Sequence, residues 1–550
     1  MKTVLIVSGG GFQGLTLVRA LQQRSDVRII VCDIHSENPT RYLCPDYRVS
    51  PPVSDTEAFS KFLLQIVSDE GVDVIFPATA WELLTLSRLK PKLEALGTQV
   101  AVPRADLLDI LLDKRKTYEW LSAAGLPTPQ TFVPVNFAFD TPLFGRPRDG
   151  WGGRDTIILN DARDLEKYEA QWNTYVWTRW LSDFQEFSLD FAVGPDGSIS
   201  TITMRQRLRT SGGFAVVSAS TTDAILQQLA ERVAQAIRDA GGCGLFNVQV
   251  LTPPQGDYFI SDVNPRSGTS ATHALAEHVN LPGFFIDAAF GPTGGATLSE
   301  RREVRTVRVL HDIAVPCLSS KPKGVVFDLD DTLVDHKLWM FKKTEAIYPK
   351  CFATHIGRDE FLLCSARLID EGVRSDLIDR LLGELSLPAT LRGDIIHAYR
   401  EAIVPETPLF SEAAHTLQAL KARGILVAVV TDNPPATQRS KVAHAQALDC
   451  LDATVYTREC GGEKPRKEGF IQAANALSLP PEQLIMVGDN YFRDGVGAIQ
   501  AGYLHALIVR RNGAFLNHHD GLANRVTTPA HKQIDMVDSL LSVYHACTLS

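Results

Sequence analysis

The run Val325-Val326-Phe327-Asp328-Leu329-Asp330-Asp331-Thr332-Leu333 ends an apolar stretch in two aspartates at i and i+2. Alternation along a strand would turn Asp328 and Asp330 to one side. Carboxylates crowded at a strand's end repel each other and need a cation, usually Mg²⁺, to stay ionised. One oxygen can then act as nucleophile and its neighbour as general acid and base. A second set lies upstream, in Phe246-Asn247-Val248-Gln249-Val250 and, one hairpin later, Phe259-Ile260-Ser261-Asp262-Val263-Asn264-Pro265-Arg266. Asp262 and Asn264 alternate to one face, with Gln249 able to lie across from them. Oxygen ligands on rigid strands, open toward substrate phosphates, are how Mg²⁺ is held together with ATP.

Two basic stretches accompany that second set. Arg146-Pro147-Arg148-Asp149-Gly150-Trp151-Gly152-Gly153-Arg154 is a glycine-rich turn between apolar runs, and its bare amides and guanidiniums suit a polyphosphate. Arg205, Arg207 and Arg209 alternate before Ser211-Gly212-Gly213. One face carrying three guanidiniums would suit an acyl phosphate or a substrate carboxylate; a solvated basic edge strand has the same pattern.

The elements that must position these residues read as alternating α and β. Val4–Val7 and the glycine turn Gly9–Gly14 read as strand, turn and helix, with Asp33 ending the next apolar run. Gly9, Gly11 and Gly14 satisfy GxGxxG, which taken alone suggests a dinucleotide site, although glycines also simply permit a tight turn and close helix packing. Val72–Pro77 and Val100–Pro103 continue the pattern, and Lys114 opens a helix ending near Ala124 and Gly125. Val304–Val315 alternates like a strand closing the first half. Pro316–Pro322 is a short connector, and about seventy residues of helical periodicity follow Asp335, too many for a loop and better read as a small helical cap.

With 550 residues the chain is too long for one core, and three or four domain-sized units are expected. A net charge of -9 argues against nucleic acid or an anionic membrane as partner. Nine cysteines, an odd number without a CxxC pair, fit a reducing compartment better than a disulfide framework. Thr3–Val7 is too short, and too soon interrupted by glycine, for a signal-peptide core, and no apolar run is long enough to span a membrane. A cytoplasmic enzyme is the expectation.

The stretch around Asp328 closely resembles motif I (DxDxT) of the haloacid dehalogenase (HAD) phosphatases. Thr431-Asp432-Asn433 after an apolar strand resembles their motif II, Lys464 in Glu463-Lys464-Pro465 motif III, and Gly488-Asp489-Asn490-Tyr491-Phe492-Arg493-Asp494 the GDxxxxD form of motif IV. This resemblance implies attack on phosphorus by Asp328, with Asp330 as general acid and then base. It implies phosphate contacts from Thr431 and Lys464. It also implies Mg²⁺, with Mn²⁺ as a substitute, held by Asp328, Asp489 and the backbone carbonyl of Asp330 and supported by Asp494. A cap after motif I resembles the branch acting on small sugar phosphates and phosphoglycolate.

The upstream half resembles the ATP-grasp enzymes, as in the large chain of carbamoyl-phosphate synthase. The resemblance rests on Asp113-Lys114 with Gly125-Leu126-Pro127-Thr128-Pro129, on Arg146-Pro147, on Glu186 after the hinge Val176–Leu181, and on Asp262-x-Asn264-x-Arg266. It implies ATP contacts from Lys114, Arg146, Gly152, Gly153, Glu186 and Arg207, with Glu186 on the ribose. It implies Mg²⁺ at Gln249, Asp262 and Asn264, and Arg266 facing the transferred phosphoryl group. The sequence departs from the family where Arg146 replaces the usual lysine, Arg179 stands near an expected hinge acid, and Asp262 replaces glutamate.

The expected fold class is α/β. A Rossmann-like pre-domain (1–105) and a two-lobed α+β nucleotide module (106–315) form the ATP-grasp part. A linker (316–322) leads to a HAD Rossmann-like domain (323–550) with a helical cap at about 337–405. The expected function is bifunctional: an ATP-dependent carboxylate–amine ligase acting through an acyl phosphate, and a phosphomonoesterase, on consecutive steps of a small-molecule biosynthetic pathway. The alternative is a HAD phosphatase with a non-catalytic nucleotide- or substrate-binding module. Expected partners are a small carboxylate, an amine and a phosphate ester, with no nucleic acid or membrane, and a homodimer is compatible.

Overall fold

Strand Lys2–Val7 sends Val4 and Ile6 into one apolar cluster and Leu5 and Val7 into another. The strand is apolar at every position of Val4–Val7 because both faces of its sheet are covered by helices. In this computed structural model, which describes residues 1–24, 26–150, 155–254, 256–292, 301–309, 312–511 and 533–548, it is the centre of a five-stranded parallel sheet. The strand order is Tyr47–Val49, Val27–Asp33, Lys2–Val7, Val74–Pro77, Gln99–Val100. Tyr47–Val49 is too short and too polar to stand out in the sequence.

The glycine turn packs rather than gapes. A Cβ on Gly14 would lie 1.9 Å from the Gly9 carbonyl oxygen, so helix Phe12–Leu21 can approach its strand only with glycine there. Asp33 is already engaged: Oδ2 accepts from the Gly10 amide at 2.8 Å and Oδ1 from His35 at 3.1 Å. Its carboxylate braces the turn from the end of the second strand.

Two antiparallel sheets follow. A three-stranded one is ordered Ile157–Leu159, Leu143–Pro147, Tyr175–Arg179. A six-stranded one is ordered Phe259–Asn264, Gly244–Thr252, Gln185–Val193, Thr203–Ser211, Phe214–Ser220, Arg305–Val307. Helix Ala224–Asp239 covers the larger sheet with Leu226, Leu229, Val233 and Ile237. Helix Lys114–Ala123 begins where the Asp113 carboxylate accepts from Arg115 and Lys116, and Gly125 at φ 68° follows its end.

The long strand expected over Val304–Val315 is corrected to Arg305–Val307, with residues 310–311 outside the described set. The short strand pairs with Phe214–Ser220 alone, at the sheet edge. Val307 and Val309 are exposed, so alternation there has no second layer to bury it.

The chain divides into two compact units, Met1–His311 and Asp312–Ser550. The second is built on a six-stranded parallel sheet ordered Ala453–Tyr456, Leu426–Thr431, Gly324–Phe327, Leu484–Gly488, His505–Val509, Ile534–Val537. Between Gly324–Phe327 and Leu426–Thr431 stand the helices His336–Cys351, Arg358–Asp370, Leu377–Glu384 and Arg392–Glu401. Their apolar faces share one cluster with Val325 and Phe327 from the sheet, while Val326 faces the opposite layer. No helix of the described residues is long and apolar enough to cross a membrane.

Candidate active sites

The second unit gathers its chemistry at the carboxyl ends of three adjacent parallel strands. The strand expected to carry both aspartates stops at Phe327. Asp328 still extends the ladder, donating its amide to Val487 at 2.8 Å, and the chain then curls through Asp331 at φ 57°. The turn, not the pleat, aims the two carboxylates, and it parts them. Asp328 joins Asp489 and Asp494, with one oxygen from each lying within 4.8 Å of the others. Asp330 turns to Asn433 (2.9 Å), Gln438 (3.0 Å), His336 (3.0 Å) and Lys441.

Lys464 bridges Asp328 and Asp494, with Nζ 2.6 Å from an oxygen of each. Its backbone is fixed by Asp432, whose Oδ1 accepts from the Lys464 amide at 3.0 Å and from Thr457 Oγ1 at 2.6 Å, while Arg493 takes the other oxygen. Thr431 is buried, and its hydroxyl accepts from Gln438 at 2.6 Å. All six sequence-derived residues of this set, Asp328, Asp330, Thr431, Lys464, Asp489 and Asp494, line one cavity of about 90 Å³.

The electrostatics separate these acids. Burial, with the charges of Asp494 and Asp330 added, pushes the Asp328 carboxyl up to about 7 against the pull of Lys464. Burial beside Asp494 and Asp328 raises Asp489 well above the carboxylate range. Burial would raise Asp330 too, but the charges of His336 and Lys441 hold it well below its ordinary value. Three converging carboxylates, two of them reluctant to ionise, are a donor set that fits a hard divalent cation.

Sequence reasoning missed Gln438, Lys441 and Arg374. Gln438 and Lys441 sit three apart on helix Pro435–Ala443, a spacing that shares one face and was legible in principle. Arg374 comes from between two cap helices, lines the cavity and lies 3.6 Å from Asp331. Nothing in the sequence marks it.

The first unit contains a much larger cavity, about 1190 Å³, lined by Lys114, Arg146, Glu186, Arg207, Gln249, Asp262, Asn264 and Arg266 among others. Gly152 and Gly153 lie outside the described residues. Gln249 stands opposite Asp262, and Asn247 opposite Asn264, on the paired strands Gly244–Thr252 and Phe259–Asn264. Asn264 Nδ2 donates to Asp262 at 3.4 Å, and its Oδ1 accepts from Arg266 at 3.2 Å. Arg266 is half-buried at the cavity wall; burial lowers its pKa against the charges of Asp262 and Glu82. Lys114 Nζ reaches the Gly150 carbonyl, and burial lowers its pKa. Arg146 packs over Tyr118 and donates to the Ser261 carbonyl at 3.0 Å.

The three-guanidinium face is corrected. The register slips between Arg207 and Arg209, so alternation breaks there. Arg205 is buried against Asp190 at 3.1 Å, Arg207 pairs with Glu186, and Arg209 is exposed outside the cavity wall. Acids already neutralise the two inner guanidiniums. Arg179, where a hinge acid was expected, turns to Asp140 at 2.7 Å and stacks beside Phe132 and Phe137.

Three family models match: a PylC-like N-terminal domain over residues 4–101, an ATP-grasp domain over 111–270, and a haloacid dehalogenase-like hydrolase over 322–502. Among curated proteins, the glyceraldehyde 3-phosphate phosphatase of Pyrococcus furiosus is 32% identical over 195 residues, covering 33% of this chain and 78% of that protein. The Methanopyrus kandleri protein of the same name is 27% identical over 197 residues, covering 34% and 84%. Among solved structures, N5-carboxyaminoimidazole synthetase from Staphylococcus aureus, complexed with ADP, is 17% identical with a TM-score of 0.46, covering 56% of this chain and 82% of that one. The chain therefore belongs to the haloacid dehalogenase-like hydrolases, its HAD-type phosphatase module preceded by an ATP-grasp ligase module with a PylC-like N-terminal domain.

Proposed function

We propose that the chain is a bifunctional enzyme serving consecutive steps of a small-molecule pathway. One module forms an amide from a small carboxylate and an amine with ATP; the other hydrolyses a phosphomonoester. The observation that carries this reading is that each compact unit has its own cavity in which acids and cations converge.

In the phosphatase module, an Asp328 oxygen attacks phosphorus in line as the ester bond breaks, and Asp330, whose carboxyl the negative charge of the arriving phosphate raises against the pull of His336 and Lys441, protonates the leaving alkoxide. Asp330 then takes a proton from water while the water oxygen bonds phosphorus and the Asp328–phosphorus bond breaks. Thr431 and Lys464 hold the phosphoryl oxygens. Asp328, Asp489 and the Asp330 carbonyl would hold magnesium, or manganese in its place, with Asp494 supporting them. When bound, the cation neutralises charge on the phosphoryl group. The name shared by the two archaeal relatives supports a small phosphate ester as substrate.

In the ligase module, Lys114, Arg146 and Arg207 would meet ATP phosphates, Glu186 the ribose, and Gly152 and Gly153 would cover them. Gln249, Asp262 and Asn264 would hold the accompanying magnesium. Arg266 would face the phosphoryl group as it passes to the carboxylate, and the amine would then displace phosphate from the acyl phosphate. A cavity of about 1190 Å³ exceeds the roughly 1,000 Å³ upper range for one ligand, which supports a nucleotide together with an acceptor. Nine unpaired cysteines support a cytoplasmic setting.

Two observations favour the alternative, in which the upstream module binds nucleotide or substrate without catalysis. Glu186 and Arg207 are paired with each other, and Asp262 is the sole acid of the Gln249–Asp262–Asn264 trio. Paired variants decide. Asp328→Asn should abolish hydrolysis of p-nitrophenyl phosphate while ADP release with acid and amine mixtures persists, and Arg266→Ala should do the reverse. Loss of both activities in either variant would overturn the two-site reading. ADP-free nucleotide binding by the wild type would favour the alternative.

A further inference from the structure

The cradle around Asp330 contains more than a general acid requires. Asn433 and Gln438 donate to Oδ2, at 2.9 and 3.0 Å, while Lys441 and His336 meet Oδ1. Both oxygens are thereby fixed, and the carboxylate cannot rotate without breaking contacts. Lys441 is 1% exposed and forms no part of the cavity wall, so it cannot meet substrate directly. A lysine that deep is tolerated only with compensation. Lys441 finds it in Asp330 and in the face of Trp339, whose centroid lies 4.2 Å from Nζ, while His336 Nδ1, turned to the same carboxylate, lies 3.2 Å away. Trp339 also carries Lys343 5.0 Å from its ring centroid, and Lys343 reaches Tyr399 at 4.9 Å. His336, Trp339 and Lys343 belong to the first cap helix, whereas Lys441 and Gln438 belong to the helix that follows Thr431. Asp330 is thus gripped from the sheet side and the cap side together.

Building on the phosphatase reading above, we propose that Lys441 is a positioning residue that aims the Asp330 carboxylate at the reacting phosphorus, with Trp339 and His336 making that aim depend on the seating of the cap. General acid–base help is worth about 10²–10⁴-fold and falls steeply with misplacement, so a correctly charged but misdirected Asp330 would lose most of it.

The step affected can be chosen by the leaving group. p-Nitrophenolate departs without a proton, so with p-nitrophenyl phosphate the first half-reaction needs only Asp328 and its cations. The second needs Asp330 to take the proton from water. Lys441→Met should therefore release one burst of p-nitrophenolate per site and then turn over about 100-fold more slowly than wild type. KM should fall by about the same factor, leaving kcat/KM unchanged, and intact-mass measurement should show the phosphorylated chain accumulating. Gln438→Leu, which removes one neutral donor and keeps the lysine, should show the same pattern at about tenfold. It carries the test if Lys441→Met does not fold by thermal melt. Wild-type kcat in the folded variant, a loss confined to KM, or a loss with no burst and no phosphorylated chain would each overturn the proposal. Asp328→Asn shows no burst under either outcome. Absence of any turnover by the wild type would sink the phosphatase reading itself, separately from the role of Lys441.

Discussion

Lys464 holds two carboxylates at 2.6 Å each while three acids crowd within 4.8 Å, so it carries much of the local neutralisation. Burial would lower its pKa, yet the charges of Asp328 and Asp494 raise it, and it stays a cation throughout the working pH range. Lys464→Met should lower kcat on p-nitrophenyl phosphate by about 10³-fold, as for other losses of a fixed charge at a reacting group. It should also lower the magnesium concentration for half-maximal rate, since the three acids then have no competing cation and draw the ion more strongly. A magnesium titration of both proteins checks this. Asp328, Thr431 and Asp489 were legible because apolar strands end on or beside them in a fixed order. Gln438, Lys441 and Arg374 were not, because a side chain that reaches the site from a helix or a cap leaves no mark at the end of a strand.

At the scale of elements, the sheet positions read well from continuous apolar runs, while pairing-dependent features did not. Asp328 and Asp330 look like strand neighbours in sequence, but the turn at Asp331 sends their carboxylates to different partners. The register slip beside Arg209 could not be read from alternation, since a bulge adds a residue without changing composition. One long-range tie deserves a test. Arg511, beyond strand His505–Val509, pairs with Glu412 and donates to the Thr332 carbonyl at 2.7 Å, fastening the motif I turn. Burial would raise the Glu412 carboxyl, but the Arg511 charge and hydrogen bond hold it below its ordinary value. A depressed carboxyl contributes stability that is full above its unfolded pKa of about 4.3 and is lost as pH falls through the folded value. Glu412→Gln should therefore cost roughly 3 kcal/mol near neutral pH and much less near pH 3, read from urea midpoints at both.

At the scale of the whole molecule, two units with separate cavities share one chain. If they serve consecutive steps, blocking the second should expose the product of the first. Cells expressing Asp328→Asn should accumulate a phosphorylated amide that wild-type cells lack, detected by untargeted mass spectrometry; an unchanged metabolite profile would separate the two activities. The division into an ATP-grasp half and a phosphatase half was legible because each carries its residues at family spacing. Substrate identity was not, because it rests on cavity walls assembled from residues as distant as Gln13, Trp81 and Phe214.

Trp339 is one of seven tryptophans, and it lies between two ammonium groups with its ring facing Lys441. Indole emission responds to adjacent charge, so any hinging that lifts the first cap helix from Lys441 would alter this fluorophore's colour or yield. The chain thus has an intrinsic optical reporter of cap opening, separable from the other six by the spectrum of Trp339→Phe.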